Sequence, residues 1–294
     1  MKVIFSAKKE HDVFKKVIKK LSNIKNLECI FHDPIKEFFK LEEIPQILKD
    51  IDYIIVKVAS EGSIDLLHFA KLYNIPTLHD LNAVLTCMNK IALDGALRKI
   101  FKTHADSLSK FSLPLSWNQN VLNIIKFKKW AEDKLPIVIK SHNQHDKYRR
   151  FNFLVKYIEE IDQFCTRYKE FLYYDVYVQK FIECDGFERK IYVIGDKIFG
   201  IKRENPIYIH LRERPNNIEV DNIKREPYNV SKEIKVLTKI LSKELNLKIF
   251  GYDLIKSIDK DLYFLIDLND FPGFRGIDNV EDVFVEFFKT YLNL

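Results

Sequence analysis

Two apolar stretches late in the chain each carry an acid in their middle, and a polar turn separates them. The first is Phe250-Gly251-Tyr252-Asp253-Leu254-Ile255. The second is Phe264-Leu265-Ile266-Asp267-Leu268-Asn269, which runs on through Asp270-Phe271-Pro272-Gly273-Phe274-Arg275-Gly276. A hairpin centred near Lys260 sets Asp253 opposite Asp267, with Asn269 on the same face two residues further on. Opposed like charges repel in a sheet, and carboxylates inside apolar runs cost free energy to bury. A divalent cation between them answers both objections. An all-oxygen set with amide support suits Mg²⁺, which shares its coordination shell with phosphate oxygens. The alternative is that both acids lie at strand ends facing water.

A chain of 294 residues, 47% hydrophobic and 31% charged, can bury a large core in one large domain or a few small ones. The formal charge of +6 suits an anionic partner without selecting one. There is no basic-aromatic ribonucleoprotein motif, zinc-finger spacing or basic tail, so nucleic acid is not expected. Cys29, Cys87, Cys165 and Cys184 show no paired spacing, which predicts reduced thiols and a cytoplasmic setting. The chain opens on a strand-like Val3-Ile4-Phe5 rather than a signal peptide, and no apolar run reaches bilayer length, so no membrane is expected.

Residues 1–82 read as a small α/β unit. Strands are expected at 2–6, 27–32, 53–58 and 76–78, and helices at 11–24, 44–48 and 63–72, an alternation that predicts a mostly parallel sheet. Residues 84–101 and 121–133 read as one helix each, 137–140 as a strand ending on Lys140, 141–150 as a polar loop, and 177–182 as a strand. Gly195-Asp196 is a two-residue hairpin turn between flanking apolar runs. Ser231 caps a helix whose stripe is Ile234, Leu237, Leu241 and Leu245, and residues 280–292 close the chain as a helix. The late part combines antiparallel strands with helices, so the whole is mixed α/β and α+β.

Several cations stand where they can meet an anion. Lys140, at a strand end, can aim a compact charge at a phosphate, or simply be solvated. The Gly195-Asp196 turn pairs Lys190 with Ile201 and brings Arg203 diagonally beside Lys190, where two cations repel unless an anion lies between them. Arg189 and Lys202 share the opposite face, and one of the two pairs can simply be solvated. Lys147, Arg149 and Arg150, like Arg212 and Arg214, form loop clusters of the kind that usually face water. Lys57 ends an apolar run, where parallel sheets place ligands. His142 and His145 have no metal-ligand spacing. No P-loop and no protein-kinase signature set is present.

The order of these signals resembles the ATP-grasp fold, in which a strand lysine precedes a loop over the phosphates, a hinge strand binds adenine, and an acid…acid-x-Asn set holds Mg²⁺. Here these are Lys140, residues 141–150, Val178-Gln179-Lys180-Phe181-Ile182, and Asp253 with Asp267 and Asn269. Lys90 is similar to a lysine found early in many such chains. Two branches compete over residues 84–294. One is the inositol-trisphosphate 5/6-kinase family; the other is the glutamate-adding type of carboxylate–amine ligase, which works through an acyl phosphate. Asp267-Leu268-Asn269 followed by Phe271-Pro272-Gly273-Phe274 resembles the kinases' Asp-x-Asn-x-Phe-Pro-Gly-aromatic, where the ligases usually carry glutamate first. Lys190, five residues before Gly195, is similar to the kinases, where ligases prefer arginine. His145, Ser6-Ala7-Lys8-Lys9 and Val56-Lys57 resemble a loop histidine and amino-terminal substrate lysines of that family. The loop after Lys140 departs from it: Asp146 follows His145, Arg150 stands where a second histidine is usual, and no glycine supplies a backbone nest for phosphate.

The resemblance implies an ATP-grasp protein with an N-terminal parallel-sheet domain. Residues 1–82 would be a substrate-binding α/β domain, 83–178 a central subdomain, and 179–294 a C-terminal subdomain with the metal site. ATP and Mg²⁺ would be the cofactors, and a polyanionic inositol phosphate the partner of a monomeric kinase. Lys90 and Lys140 would hold the α- and β-phosphates. Gln179, Lys180, Phe181 and Ile182 would hold adenine, and Asp253, Asp267 and Asn269 the metal. Lys190, Arg203 and His145 would act in catalysis, Arg203 also against ATP. Lys57, Lys190, His145, Arg150, Gly273 and Arg275 would bind the substrate's phosphates, where charge-assisted hydrogen bonds are strong.

Overall fold

Strand–helix alternation at the start of the chain builds a three-stranded parallel sheet, as expected. The computed structural model describes residues 1–9, 11–142, 151–213 and 222–294. The sheet is ordered β2-β1-β3, from β1 (Lys2–Ser6), β2 (Glu28–His32) and β3 (Tyr53–Val56), with helices α1 (Asp12–Leu21), α2 (Ile44–Leu48) and α3 (Glu61–Leu72). The strand expected at 76–78 is reduced to a single bridge between Ile54 and Thr77. Pro76 has no N–H to extend a ladder, and Asp80 already caps the next helix, α4 (Leu81–Met88).

The helix expected over 84–101 is broken into α4 and α5 (Lys90–Thr103). Asn89 is extended, and its side-chain oxygen accepts the N–H groups of Ile91 and Ala92. This N-cap restarts the helix and makes Lys90 its first residue.

Short β4 (Phe111–Ser112) leads into a four-stranded antiparallel sheet ordered β5-β8-β6-β7. It is formed by β5 (Ser116–Asn120), β6 (Ile137–Ser141), β7 (Asn152–Val155) and β8 (Asp175–Lys180), with α6 (Ile124–Ala131) and α7 (Glu160–Arg167) between them. Strand alternation divides its residues. Ile137, Ile139, Val176 and Val178 pack with Phe127, Ile161 and Phe164. Val138, Lys140, Tyr177 and Gln179 therefore occupy the other face.

The largest sheet, six-stranded, is ordered β11-β10-β9-β12-β13-β4. It comprises β9 (Cys184–Ile194), β10 (Lys197–Glu204), β11 (Arg225–Pro227), β12 (Ile249–Ser257), β13 (Tyr263–Asp270) and β4, with α8 (Pro206–Glu213) after β10 and α9 (Lys232–Glu244) before β12. Gly195 turns β9 into β10 at φ +59°, a left-handed conformation that glycine adopts without strain. On one face Ile191, Val193, Phe250, Tyr252 and Leu268 pack with Leu93 and Leu97 of α5 and with Leu237 and Leu241 of α9. On the other, Tyr192 and Ile194 lie with Phe284 and Phe288 of the last helix, α10 (Val280–Tyr291), and with Phe5 and Phe14 of the parallel sheet's layer. Among the described residues no helix is long and apolar enough to cross a membrane. The four cysteines are free thiols.

Phe284 sits at the junction of these layers, stacked on Phe271 and edge-on to Phe274. Phe284→Ala is expected to lower the unfolding free energy by about 3–5 kcal/mol, from lost burial plus the cavity left behind. Urea denaturation of the two proteins measures it.

Candidate active site

The turn spacing of the acid-bearing hairpin produces the expected register: Asp253 pairs with Asp267 and Gly251 with Asn269. Asp253 also pairs with Lys190 on its other side, so Lys190, Asp253 and Asp267 form one row across β9, β12 and β13. Lys190 in turn faces Ile201, and Arg203 faces Glu188, again as the Gly195-Asp196 turn predicts. A register shift follows Asp253, where Leu254 pairs with Leu265 and leaves Ile266 unpaired. Such a bulge re-aims backbone groups. The Ile266 carbonyl accepts a hydrogen bond from Lys140 Nζ at 2.9 Å.

Each carboxylate of the row is held by a cation from another element. Lys190 Nζ lies 2.5 Å from Asp253 Oδ2. Lys90, at the first turn of α5, pairs with Asp267, and Asn269 donates its amide N–H to Asp267 Oδ2 at 2.9 Å. Lys140 also donates to Gln179 Oε1 at 2.8 Å. The Lys90 N–H donates to the carbonyl of His142, which ties α5 to the chain just past β6.

Burial and these pairs move the charges in opposite directions. Burial pushes the Asp253 carboxyl up to about 6 against the pull of Lys190, with Glu188 and Asp267 adding repulsion. Burial also works to raise Asp267, but Lys90 and Lys140 outweigh it and hold that carboxyl well below the ordinary carboxylate range. Lys140 falls to about 8, chiefly through burial. Burial would lower Lys190 too, yet Asp253 and Glu188 outweigh it and raise the ammonium. The donor set of two carboxylates and an amide is all oxygen and carries two like charges side by side. It fits a hard divalent cation such as Mg²⁺.

The structure corrects several expectations. The anion between Lys190 and Arg203 is the protein's own Glu188, which accepts from Arg203 Nε and lies 3.4 Å from Lys190. Sequence reasoning missed Glu188, although strand alternation puts it on the face of Lys190 two residues away. Arg189, on the opposite face, is buried rather than solvated: it pairs with Asp185 and stacks between Tyr228 and Tyr263. The Gln179 side chain, expected at adenine, has internal partners: its oxygen takes Lys140 and its amide nitrogen donates to the Tyr177 hydroxyl at 3.2 Å. The N–H groups of Lys180 and Phe181 bond the carbonyls of Leu115 and Pro136. The Lys180 ammonium holds the carbonyls of Lys134 and Leu135.

Lys57, expected to meet a substrate phosphate, has a partner within the protein. It donates to the carbonyl of Phe271 and lies 5.4 Å from that ring's centroid, so it clamps the turn that follows Asn269. Phe271 and Phe274 are left-handed at φ +43° and +52°, a strained conformation for such residues, and their buried aromatic contacts hold it. Gly251 makes room beneath, because a Cβ there would stand 2.8 Å from Pro272 Cγ. A Cβ on Gly273 would meet nothing nearer than 3.9 Å, and Arg275 is exposed on the same turn. His145 and Arg150 lie outside the described residues, as do Lys147, Arg149, Arg214 and the side chain of Arg212.

Two sheets facing across a lysine-lined cleft, with an acid…acid-x-Asn set on the last strands, define an ATP-grasp architecture, and solved structures bear this out. A RimK-domain ATP-grasp protein of Sphaerobacter thermophilus superposes with a TM-score of 0.70 at 15% identity, covering 98% of this chain and 99% of its own. An ATP-grasp ligase of Chryseobacterium gregarium, associated with a ribosomally made peptide and solved with ADP, gives 0.68 at 16% identity over 99% and 96%. The chain has the ATP-grasp fold, and part of it is similar in sequence to the inositol phosphate kinases. Residues 210–290 match the inositol 1,3,4-trisphosphate 5/6-kinase ATP-grasp domain. Inositol-tetrakisphosphate 1-kinase 2 of Oryza sativa subsp. indica is 28% identical over 128 residues, which span 37% of either chain. Inositol-tetrakisphosphate 1-kinase 1 of Arabidopsis thaliana is 25% identical over 162 residues, 44% of this chain and 51% of the relative.

Lys57 yields a pH prediction. Burial lowers its amine to about 8, partly offset by Asp270. In the unfolded chain it titrates near about 10.4. Below the folded value both states hold the proton. Between the two values the unfolded chain binds more protons, so stability rises with pH. The unfolding free energy of the wild type relative to Lys57→Met should therefore shift toward the wild type as pH rises from about 8 to about 10. Urea titrations at several pH values follow it, and a flat difference would contradict the assignment.

Proposed function

We propose that this chain transfers the γ-phosphate of ATP to a hydroxyl group of an inositol polyphosphate. The observation that carries this is the convergence of Lys90, Lys140, Lys190 and Arg203 on Asp253, Asp267 and Glu188 within one cleft. Such transfer depends on positioning and charge neutralisation rather than on a covalent catalyst. Lys90 and Lys140 approach Asp267 and its neighbouring carbonyl from two different elements and would grip adjacent phosphates of one nucleotide. At the hinge end of the cleft a cavity of about 250 Å³ is lined by Pro136, Leu154, Phe181, Tyr208 and Ile258 together with the charged Lys156 and Glu183, a largely apolar slot that suits a purine. The Lys180 carbonyl and the Ile182 N–H are the hinge groups for the base edge. Asp253, Asp267 and Asn269 would hold Mg²⁺, which supplies charge neutralisation at the phosphate oxygens. Lys190 and Arg203 would then meet the transferred group and the acceptor, together with Arg275, which is exposed on the turn after β13. Similarity to the kinases at Asp267-Leu268-Asn269 and over residues 210–290 supports phosphoryl transfer to a hydroxyl.

One observation favours a second assignment, an ATP-grasp ligase of the glutamate-adding type. Glu188 already neutralises Arg203 and part of Lys190, which leaves less positive charge for a polyphosphate than for a single carboxylate. A panel of inositol phosphates and amino acids, scored for ATP consumption with the products followed by NMR, separates the two. Phosphorylation of an inositol phosphate is expected, whereas turnover with glutamate alone would make the chain a ligase. Asp267→Asn should abolish turnover through loss of a metal ligand, and full activity in that variant would remove the metal site from this place. Lys190→Ala should raise KM for the acceptor by about 10-fold or more, the size of one hydrogen bond to a charged group, with less effect on ATP.

A further inference from the structure

A chain of side-chain hydrogen bonds runs from the middle of α5 to Lys140. Asp94 lies one helical turn beyond Lys90 and is largely buried. Its Oδ1 accepts from the Tyr177 hydroxyl at 2.8 Å. Tyr177 accepts from the Gln179 amide nitrogen at 3.2 Å, and the Gln179 oxygen accepts from Lys140 at 2.8 Å. Lys140 then donates to the Ile266 carbonyl, one residue before Asp267, which Lys90 holds. The circuit therefore leaves α5 at Asp94, crosses β8, β6 and β13, and returns to α5 at Lys90. Asp94 is itself immobilised by Arg98 Nε at 2.6 Å and by the Ser116 hydroxyl at 2.9 Å.

Each member dictates the orientation of the next. An ionised carboxylate only accepts, so Tyr177 must donate to Asp94 and present its lone pairs to Gln179. That selects one of the two amide orientations of Gln179, nitrogen toward Tyr177 and oxygen toward Lys140. The opposite flip would set an N–H₂ against an ammonium, two donors with no acceptor between them. Lys140 has a long flexible stem whose rotamer freedom must be removed before it can hold an anion in one place.

We propose that Asp94 is a positioning residue for nucleotide binding: through Tyr177 and Gln179 it fixes the ammonium of Lys140 in the cleft, so that one helix sets both phosphate-facing lysines. This rests on the assignment of the cleft to a nucleotide. In this assignment the role of Asp94 is exerted through the relay.

Dissociation constants for Mg-ATP, measured by calorimetry on the full chain, test it. Tyr177→Phe removes only the hydroxyl and keeps the ring's packing. It should weaken ATP by about 10-fold, the size of one hydrogen bond to a charged group. Asp94→Ala should do the same, and Asp94→Asn, which keeps an acceptor oxygen for Tyr177, should recover most of the loss. In a Lys140→Ala background both Tyr177→Phe and Asp94→Ala should change affinity by less than about 2-fold, because the end of the relay is gone. Wild-type affinity in Tyr177→Phe, or an equal loss with and without Lys140, overturns the relay while leaving nucleotide binding intact. Absence of Mg-ATP binding by the wild type overturns the nucleotide assignment itself, and the relay with it. Should Asp94→Ala fail to fold, Tyr177→Phe and its double variant with Lys140→Ala decide alone.

Discussion

Two aspartates set side by side on neighbouring strands are the constraint around which the rest of the molecule is arranged. Asp253 and Asp267 stand opposite each other, and burial works against the charge of each. Neither is tolerable without compensation from outside its own hairpin. Lys190 comes from β9 and Lys90 from the start of α5. The broken helix is explained by the second requirement. Had residues 84–101 formed one straight helix, Lys90 would sit mid-helix; the Asn89 cap ends one helix and starts another with Lys90 at its first turn.

Charge compensation also explains why the cleft is crowded with ion pairs between residues that a ligand could use. Four cations stand among three carboxylates, and Glu188 occupies the space between Lys190 and Arg203 that an external anion was expected to fill. A ligand entering here exchanges partners with these groups instead of meeting bare charges. Selectivity then depends on which internal pairs a ligand can replace without leaving a buried charge alone. Pairing of this kind also keeps the cleft folded around charges that would otherwise repel.

Opposite demands meet at the turn after β13. Phe271 and Phe274 adopt left-handed backbone, which costs free energy, and they bury their rings among Phe14 and Phe284. Lys57 reaches from the parallel sheet to hold the Phe271 carbonyl. The same lysine that a sequence reader assigns to substrate is thus part of the joint between the amino-terminal sheet and the strand that carries Asp267 and Asn269. An apolar run ending in a lysine signals a buried strand with a charge at its tip, but not what that tip meets.

Local rules were enough for the hairpin strand pairings, though the Asn89 cap and Glu188 beside Lys190, both local, were missed. Alternation and turn chemistry set the registers of both hairpins, the cross-strand aspartates, the Asn269 face and the Lys190–Arg203 diagonal, because side-chain period and turn length leave one solution. The parallel sheet followed from strand–helix alternation. Strand β5, Ser-Trp-Asn-Gln-Asn, was invisible because its polar residues carry no alternation, and only pairing with β8 makes it a strand. Which partner each charge takes was likewise beyond reach. Glu188 between two cations, Lys57 on a carbonyl and Asp94 wired to Lys140 join residues 2 to 214 positions apart. A charged side chain is satisfied by whatever opposite charge or lone pair the folded chain brings within about 3 Å. The sequence by itself thus determined which groups share a face. Only the tertiary structure decided which of them neutralise one another, because that choice depends on distances between elements that no local pattern encodes.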